Sequence, residues 1–162
     1  MDMKAFVAVF CLCVLSIVGW FFFFHRPQEL ISDERIKIQI RNHTIIAEVA
    51  KTEEQKETGL AGRTALGLDE GMLFPFSEKG RYGFWMKGMQ IPIDIVWILG
   101  TTVVGFEENI SLPSGTAAEN SALPIYFPPG LVDKVLELRA GSVRMLGIQR
   151  GDMVTFIEKG DR

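Results

Sequence analysis

Cysteine is scarce in this 162-residue chain: Cys11 and Cys13 are the only two, and both lie inside one apolar N-terminal run. From residue 27 onward there is none, which excludes a disulfide framework, a cysteine-type zinc site and a thiol nucleophile. Histidine is scarcer in practice, because His25 flanks the run and only His43 belongs to the body of the chain. With no Gly-x-Ser-x-Gly string present, a serine triad has neither its elbow nor a clear base. An excess of basic residues is also missing. Setting aside Lys4, Arg26 and Asp2 leaves 15 Lys and Arg against 19 Asp and Glu, a net of −4. A nucleic-acid partner needs a basic face that displaces counterions from phosphates, so none is expected. No phosphate-cradling loop and no metal-ligand spacing is present, and no metal or cofactor is expected.

Ala5 to Phe24 reads AFVAVFCLCVLSIVGWFFFF, without charge or proline. Twenty residues at ~1.5 Å rise match the roughly 30 Å core of a bilayer. The run ends in Trp20 and four phenylalanines and not in a small-x-small cleavage site, so a retained signal-anchor is expected. The organisation that follows is an anchor over 1–26, with its helix at about 5–24, a polar spacer over 27–34 and one globular domain over 35–162. Orientation stays open on charge alone. Arg26, Arg35, Lys37 and Arg41 after the run favour a cytoplasmic C-terminal side, whereas a four-residue leading tail is the layout of an uncleaved signal sequence.

Arg35 to Arg41 alternates polar and apolar residues and predicts a half-buried strand. Asn42-His43 is the expected turn, since Asn tolerates positive φ, and Ile45, Ala47 and Val49 form the return strand. Thr52 and Gln55 make a capping box, with Glu53 and Glu54 at the positive end of the helix; Gly59 to Gly62 ends it. Gly71 to Phe76 predicts a short apolar strand closed by Pro75. Tyr82 to Met89 (YGFWMKGM), Asp94 to Leu99 (DIVWIL) and Val103 to Phe106 predict a strand meander, and Ser111 to Pro129 a long surface loop. Val132 to Leu138 is a strand, Gly141 to Leu146 a short helix closed by Gly147, and Met153 to Ile157 the last strand. The class is α+β, mostly β: a barrel-like or sandwich-like antiparallel meander with one early helix and one short helix before the final strand.

Six motifs in fixed order then carry a resemblance. They are Gly59-Leu60-Ala61-Gly62-Arg63, Gly71-Met72-Leu73-Phe74, Phe84-Trp85-Met86-Lys87 and Ile91-Pro92-Ile93-Asp94-Ile95, followed by Val135-Leu136-Glu137-Leu138 with Ala140-Gly141 and Gly147-Ile148 with Gly151-Asp152. Together they resemble the prokaryotic domain-of-unknown-function family 192 over about Ile36 to Ile157. The resemblance implies a compact β-barrel-like domain behind a signal peptide or anchor, and no established reaction. It favours placing the domain outside the cytoplasm. The stretch from Ser111 to Pro129 follows the family only loosely.

Two functional readings remain. In the first, the domain is a non-catalytic binding or interaction module for an unknown ligand or envelope protein, held to the bilayer by its N-terminal helix. Its candidate binding residues are Arg63, Trp85, Lys87, Met89 and Asp94. On strand alternation, Phe84 and Met86 face the core, while Trp85, Lys87 and Met89 face a surface site. A thioether copper site is disfavoured, because Met86 and Met89 point apart. Arg63 and Asp94 are the expected internal ion pair. In the second reading, an envelope hydrolase uses Asp94 with Glu108, Glu137 or Asp152, which requires those carboxylates to converge. The Arg150-Gly151-Asp152 string is expected to be a turn whose Asp bonds the local backbone.

Overall fold

The computed structural model describes residues 34–113 and 123–157; the apolar run, the spacer up to residue 33, residues 114–122 of the expected loop and the end of the chain lie outside the described residues. The strands are β1 (Arg35–Ile40), β2 (His43–Val49), β3 (Glu70–Gly80), β4 (Phe84–Trp85), β5 (Ile93–Leu99), β6 (Thr102–Ile110), β7 (Ile125–Tyr126), β8 (Val132–Arg139) and β9 (Val154–Ile157). The helices are α1 (Glu53–Thr58) and α2 (Ser142–Leu146). Seven strands form one sheet in the order β6-β5-β8-β3-β2-β1-β9, and β4 with β7 forms a separate two-stranded ribbon.

The large sheet curls until its two edges meet. Val103 N–H donates to the Asp152 carbonyl at 2.9 Å, Val154 N–H to the Thr101 carbonyl at 2.8 Å, and Gly151 N–H to the Val103 carbonyl at 2.8 Å. Thr102 and Met153 form the bridge between them. These bonds satisfy backbone groups that an open edge would leave to solvent or to another chain. The α+β, mostly β, barrel-like class read from the sequence is the class observed.

Each face of the sheet buries its own core. Inside the curl lie Ile38, Ile40, Ile45, Ala47, Leu73, Val96, Ile98, Val103, Leu136, Leu138 and Val154, so all seven strands contribute, and Val143 and Leu146 of α2 pack with them. The opposite face of β3, β5 and β8 carries Met72, Phe74, Ile93, Ile95, Trp97 and Val135. It is covered by Leu60, Leu66, Met86 and Ile91. Because both faces are covered, β5 reads IDIVWIL without alternation, and its first six residues are buried.

Local signals place several elements where the sequence indicates. Thr52 and Gln55 form the reciprocal capping box, and Gly59, at φ 52°, ends α1. Gly71 is required by packing: a Cβ there would sit 2.6 Å from the Glu137 carbonyl on the neighbouring strand β8.

Other details differ. The β1–β2 turn is Arg41-Asn42, one residue earlier than expected, and Arg41 itself takes φ 55°. The register that pairs Ile40 with His43 fixes that position. Pro75 does not end β3; the strand runs on to Gly80, with a register irregularity between Pro75 and Gly80 that accommodates the missing amide donor. Only Phe84-Trp85 of the Tyr82–Met89 stretch is strand, and it pairs with Ile125-Tyr126, inside the segment expected to be loop. The path is not a simple antiparallel meander: β8 inserts between β5 and β3, and β2–β3 is a parallel pair joined through α1.

Candidate functional site

The second face holds a cavity of about 250 Å³ whose walls come from five parts of the chain. α1 and its C-terminal turn supply Glu53, Lys56, Glu57, Thr58, Gly59 and Leu60. β3 supplies Phe74 and Phe76, and the segment after it Tyr82 and Gly83. β4 and its continuation supply Phe84, Trp85, Lys87 and Met89. β8 supplies Glu137.

The aromatic walls lock one another. Phe76 and Tyr82 stack with centroids 3.6 Å apart and planes 7° from parallel. The Tyr82 hydroxyl is tied to the Glu78 carbonyl at 2.8 Å. Phe84 sits edge-on between Phe74, at 5.1 Å, and Trp97, at 5.6 Å. Lys56 Nζ lies 5.0 Å from the centre of the Phe76 ring and donates to Glu53 at 2.9 Å. Gly62 N–H to the Gly88 carbonyl, at 3.0 Å, joins the loop after α1 to the loop after β4. Preformed aromatic surfaces of this kind hold a ligand with little loss of side-chain freedom.

Glu137 is the one ionisable group buried in this wall, 4% exposed. Along β8 its neighbours in register are Met72 on β3 and Ile95 on β5, both apolar. Burial pushes its carboxyl up from an ordinary 4.5 to about 8, although the Leu60 backbone amide and the Arg63 guanidinium pull the other way. Its Oε2 has no hydrogen-bond partner among the described residues. A buried polar atom in that condition is costly, and a carboxyl so perturbed beside a cavity marks a candidate site.

Of the residues expected to bind, Trp85, Lys87 and Met89 line this cavity. The predicted division of faces holds in part: Trp85 is 42% exposed and Met86 3%, but Phe84, expected in the core, is half-buried and lines the cavity beside Trp85, because the strand ends at Trp85. Arg63 and Asp94 do not line it. Nor do they form the ion pair expected of them. Both guanidinium nitrogens of Arg63 engage the two carboxylate oxygens of Glu48 on β2, Nη1 to Oε1 at 2.7 Å and Nη2 to Oε2. Asp94 is fully buried and spends its carboxylate on backbone amides. Oδ1 accepts from Asn109 at 2.7 Å and Gly141 at 3.1 Å, and Oδ2 from Val143 at 2.8 Å. The reason is local. The residue preceding α2 is Gly141, which has no side chain to cap the helix, so β5 provides the cap from across the fold.

The carboxylates of the hydrolase reading do not converge. In register Asp94 opposes Leu138, whereas Glu137 opposes Ile95, so Asp94 and Glu137 lie on opposite faces of the sheet. Asp152 accepts from Gln149 N–H at 2.8 Å and from Arg41, inside the expected turn. Glu108 is exposed on β6. It borders a second, more open depression of about 460 Å³ with Phe106, Asn109, Val143, Arg144, Gly147, Ile148 and Gln149. That depression is larger, but no buried ionisable group lines it, so the smaller aromatic cavity is the stronger site.

The face assignment gives a direct test. Phe84→Ala removes the ring wedged between Phe74 and Trp97, and an aromatic truncation in packed surroundings costs roughly 3 kcal/mol. Trp85→Ala removes a half-exposed ring and should cost under about 1 kcal/mol. Urea unfolding midpoints separate the two; equal losses would mean that Trp85 is a core residue and not a cavity wall.

The family whose members are described as "Uncharacterized ACR" (DUF192) matches residues 35–156. Among solved structures, a provisionally assigned transcription regulator from Sinorhizobium meliloti 1021 is 31% identical, with a TM-score of 0.65 over 76% of this chain and 92% of that one. A protein of unknown function from Novosphingobium aromaticivorans DSM 12444 is 27% identical, with a TM-score of 0.67 over 78% of this chain and 89% of that one. No protein with a curated description matches the chain.

Proposed function

This chain belongs to the DUF192 family, and for it we propose a binding module, anchored to the membrane by residues 5–24 and exposed outside the cytoplasm, whose ligand inserts one small apolar or aromatic group into the cavity around Glu137. The observation that carries this reading is the cavity itself: ring walls on several sides, already packed, with a single ionisable group in the inner wall. Its volume of about 250 Å³ selects the occupant. Benzene fits an apolar cavity of ~150 Å³, and drug-sized ligands need ~300–1,000 Å³. One ring or one side chain fits.

A transcription-regulator role, such as the Sinorhizobium meliloti protein is assigned, finds no support in the charge of this domain. A net of −4 from residue 27 onward repels phosphates instead of gathering them. A two-carboxylate hydrolase is disfavoured by the opposite faces of Asp94 and Glu137.

The ligand test uses benzyl alcohol as a one-ring probe, with the methionine methyl resonances of the full-length chain as readout. Titration should shift Met89, which lines the cavity, and leave Met145 and Met153 on distant surfaces unmoved. Uniform small shifts at all methyls, or none, would sink the reading. Anchoring and side are tested separately. A reporter active only outside the cytoplasm, fused after Arg162, should be active in the membrane fraction; activity confined to a cytoplasmic reporter would reverse the orientation.

A further inference from the structure

Resting on the binding-module reading above, we infer that the group taken into the cavity is an organic cation, an ammonium or guanidinium on a short apolar stem, which ion-pairs with Glu137 between the aromatic walls.

Three observations converge. The first is the unpartnered Oε2 of Glu137, an acceptor held in the inner wall with no donor directed at it among the described residues. An apolar residue of similar size would be cheaper at this position on β8, where Met72 and Ile95 flank it. A carboxyl retained there is useful to a partner that brings the missing donor.

The second is the composition of the walls. Phe74, Phe76, Tyr82, Phe84 and Trp85 surround the space, and ring faces attract a cation through their quadrupoles. The structure already shows the preference, since Lys56 Nζ rests over the Phe76 ring.

The third is the balance of charge facing Glu137. α1 presents Glu53, Lys56 and Glu57, the segment after β4 presents Lys87, and β8 presents Glu137 itself. Outside the lining, Arg63 of the loop after α1 pairs with Glu48 of β2, which also faces Arg35, and the Arg63 guanidinium pulls the Glu137 carboxyl down. The lining groups therefore sum to one negative charge when Glu137 is ionised. One monovalent cation neutralises the cavity. An anion would add to the excess.

Entry of the cation displaces the Glu137 proton to solvent, leaving a carboxylate–cation pair. Because burial keeps that carboxyl protonated up to about pH 8, binding should tighten as pH rises toward that value and level off beyond it.

The test compares benzylammonium with benzyl alcohol on the full-length chain, following the Met89 methyl resonance. The ammonium stays charged over this range, because primary amines of this kind titrate above pH 8. At pH 8 the wild type should bind benzylammonium at least about tenfold more tightly than benzyl alcohol, as expected of a charged hydrogen bond. Its affinity for the ammonium alone should climb by up to about tenfold per pH unit between pH 6 and 8. Glu137→Gln should erase both the preference and the slope while still binding benzyl alcohol. Equal binding of the two probes by wild type, with no slope, would overturn the cation inference and leave the one-ring cavity standing. Binding of neither probe would overturn both. The wild-type pH series carries the test even where the variant perturbs the fold.

Discussion

Asp94→Ala is expected to destabilise the domain by roughly 3–6 kcal/mol, enough to approach its whole margin of about 5–15 kcal/mol. The size follows from what the carboxylate holds. Three backbone N–H groups, those of Asn109, Gly141 and Val143, converge on its two oxygens. Removing it leaves each donor without that acceptor, and Asp94 is completely shielded from water. A buried donor left unpaired costs ~1–3 kcal/mol, and bonds to a charged acceptor lie toward the upper part of that range. The damage should also be localised: the start of α2, the Gly141 turn and the end of β6 should lose hydrogen-exchange protection before the rest. Asp94→Asn should lose less, because it keeps one carbonyl oxygen able to accept from Asn109 and Gly141 while turning a donor toward Val143. The urea midpoint should therefore rank wild type, Asn, Ala. An Ala variant unfolding at the wild-type midpoint would mean that the three amides find other acceptors.

The role of Asp94 also shows what kind of information a sequence holds about this fold. Interactions whose partners sit within one turn of each other are legible. The Thr52–Gln55 capping box spans three residues, the alternation of Arg35 to Arg41 sets β1, and Gly59 ends α1 through its own backbone. Alternation separates exposed Trp85 from buried Met86, but it puts Phe84 in the core although that ring lines the cavity beside Trp85. Contacts made by folding are not legible. Asp94 caps a helix 47 to 49 residues away, and nothing near Gly141 advertises the need except the absence of a capping side chain. Arg63 finds Glu48 because α1 carries the chain back beside the parallel β2–β3 pair.

Glu137 is intermediate between these cases. Its string, Val135-Leu136-Glu137-Leu138, reads as an apolar strand with one misplaced charge. That anomaly is the signal available in sequence. That the charge is buried, and beside a cavity, depends on Leu60 and the loop before Arg63 closing over β8. In sequence Glu137 is one of several acids, alike in charge to Glu108 and Asp152, which lie exposed or within a turn.

Wild type and Glu137→Gln should differ in stability by an amount that grows steeply with pH. In the unfolded chain the carboxyl titrates near its ordinary 4.5, and in the folded domain near 8. Between those values the folded state keeps a proton that the unfolded state releases, so the wild type loses stability as pH rises through that window. Below 4.5 the carboxyl is neutral in both states and this contribution is complete; above 8 it is ionised in both and the loss levels off. At about 1.4 kcal/mol per unit, the swing across the window is on the order of 5 kcal/mol. Glutamine has the same length and no proton to lose, so its variant carries none of this dependence. The other titrating groups act on both proteins alike and cancel in the difference. Urea denaturation at pH 5, 6, 7, 8 and 9 should therefore show the variant near parity at pH 5, gaining on wild type by roughly 1.4 kcal/mol per unit, then running parallel to it beyond pH 8. An added organic cation should close part of the gap at pH 8 by stabilising wild type more than the variant, since a ligand bound only to the folded state stabilises it by mass action in proportion to its affinity. A difference that stays constant from pH 5 to 9 would show that Glu137 titrates alike folded and unfolded, and that its carboxyl reaches water in the folded domain.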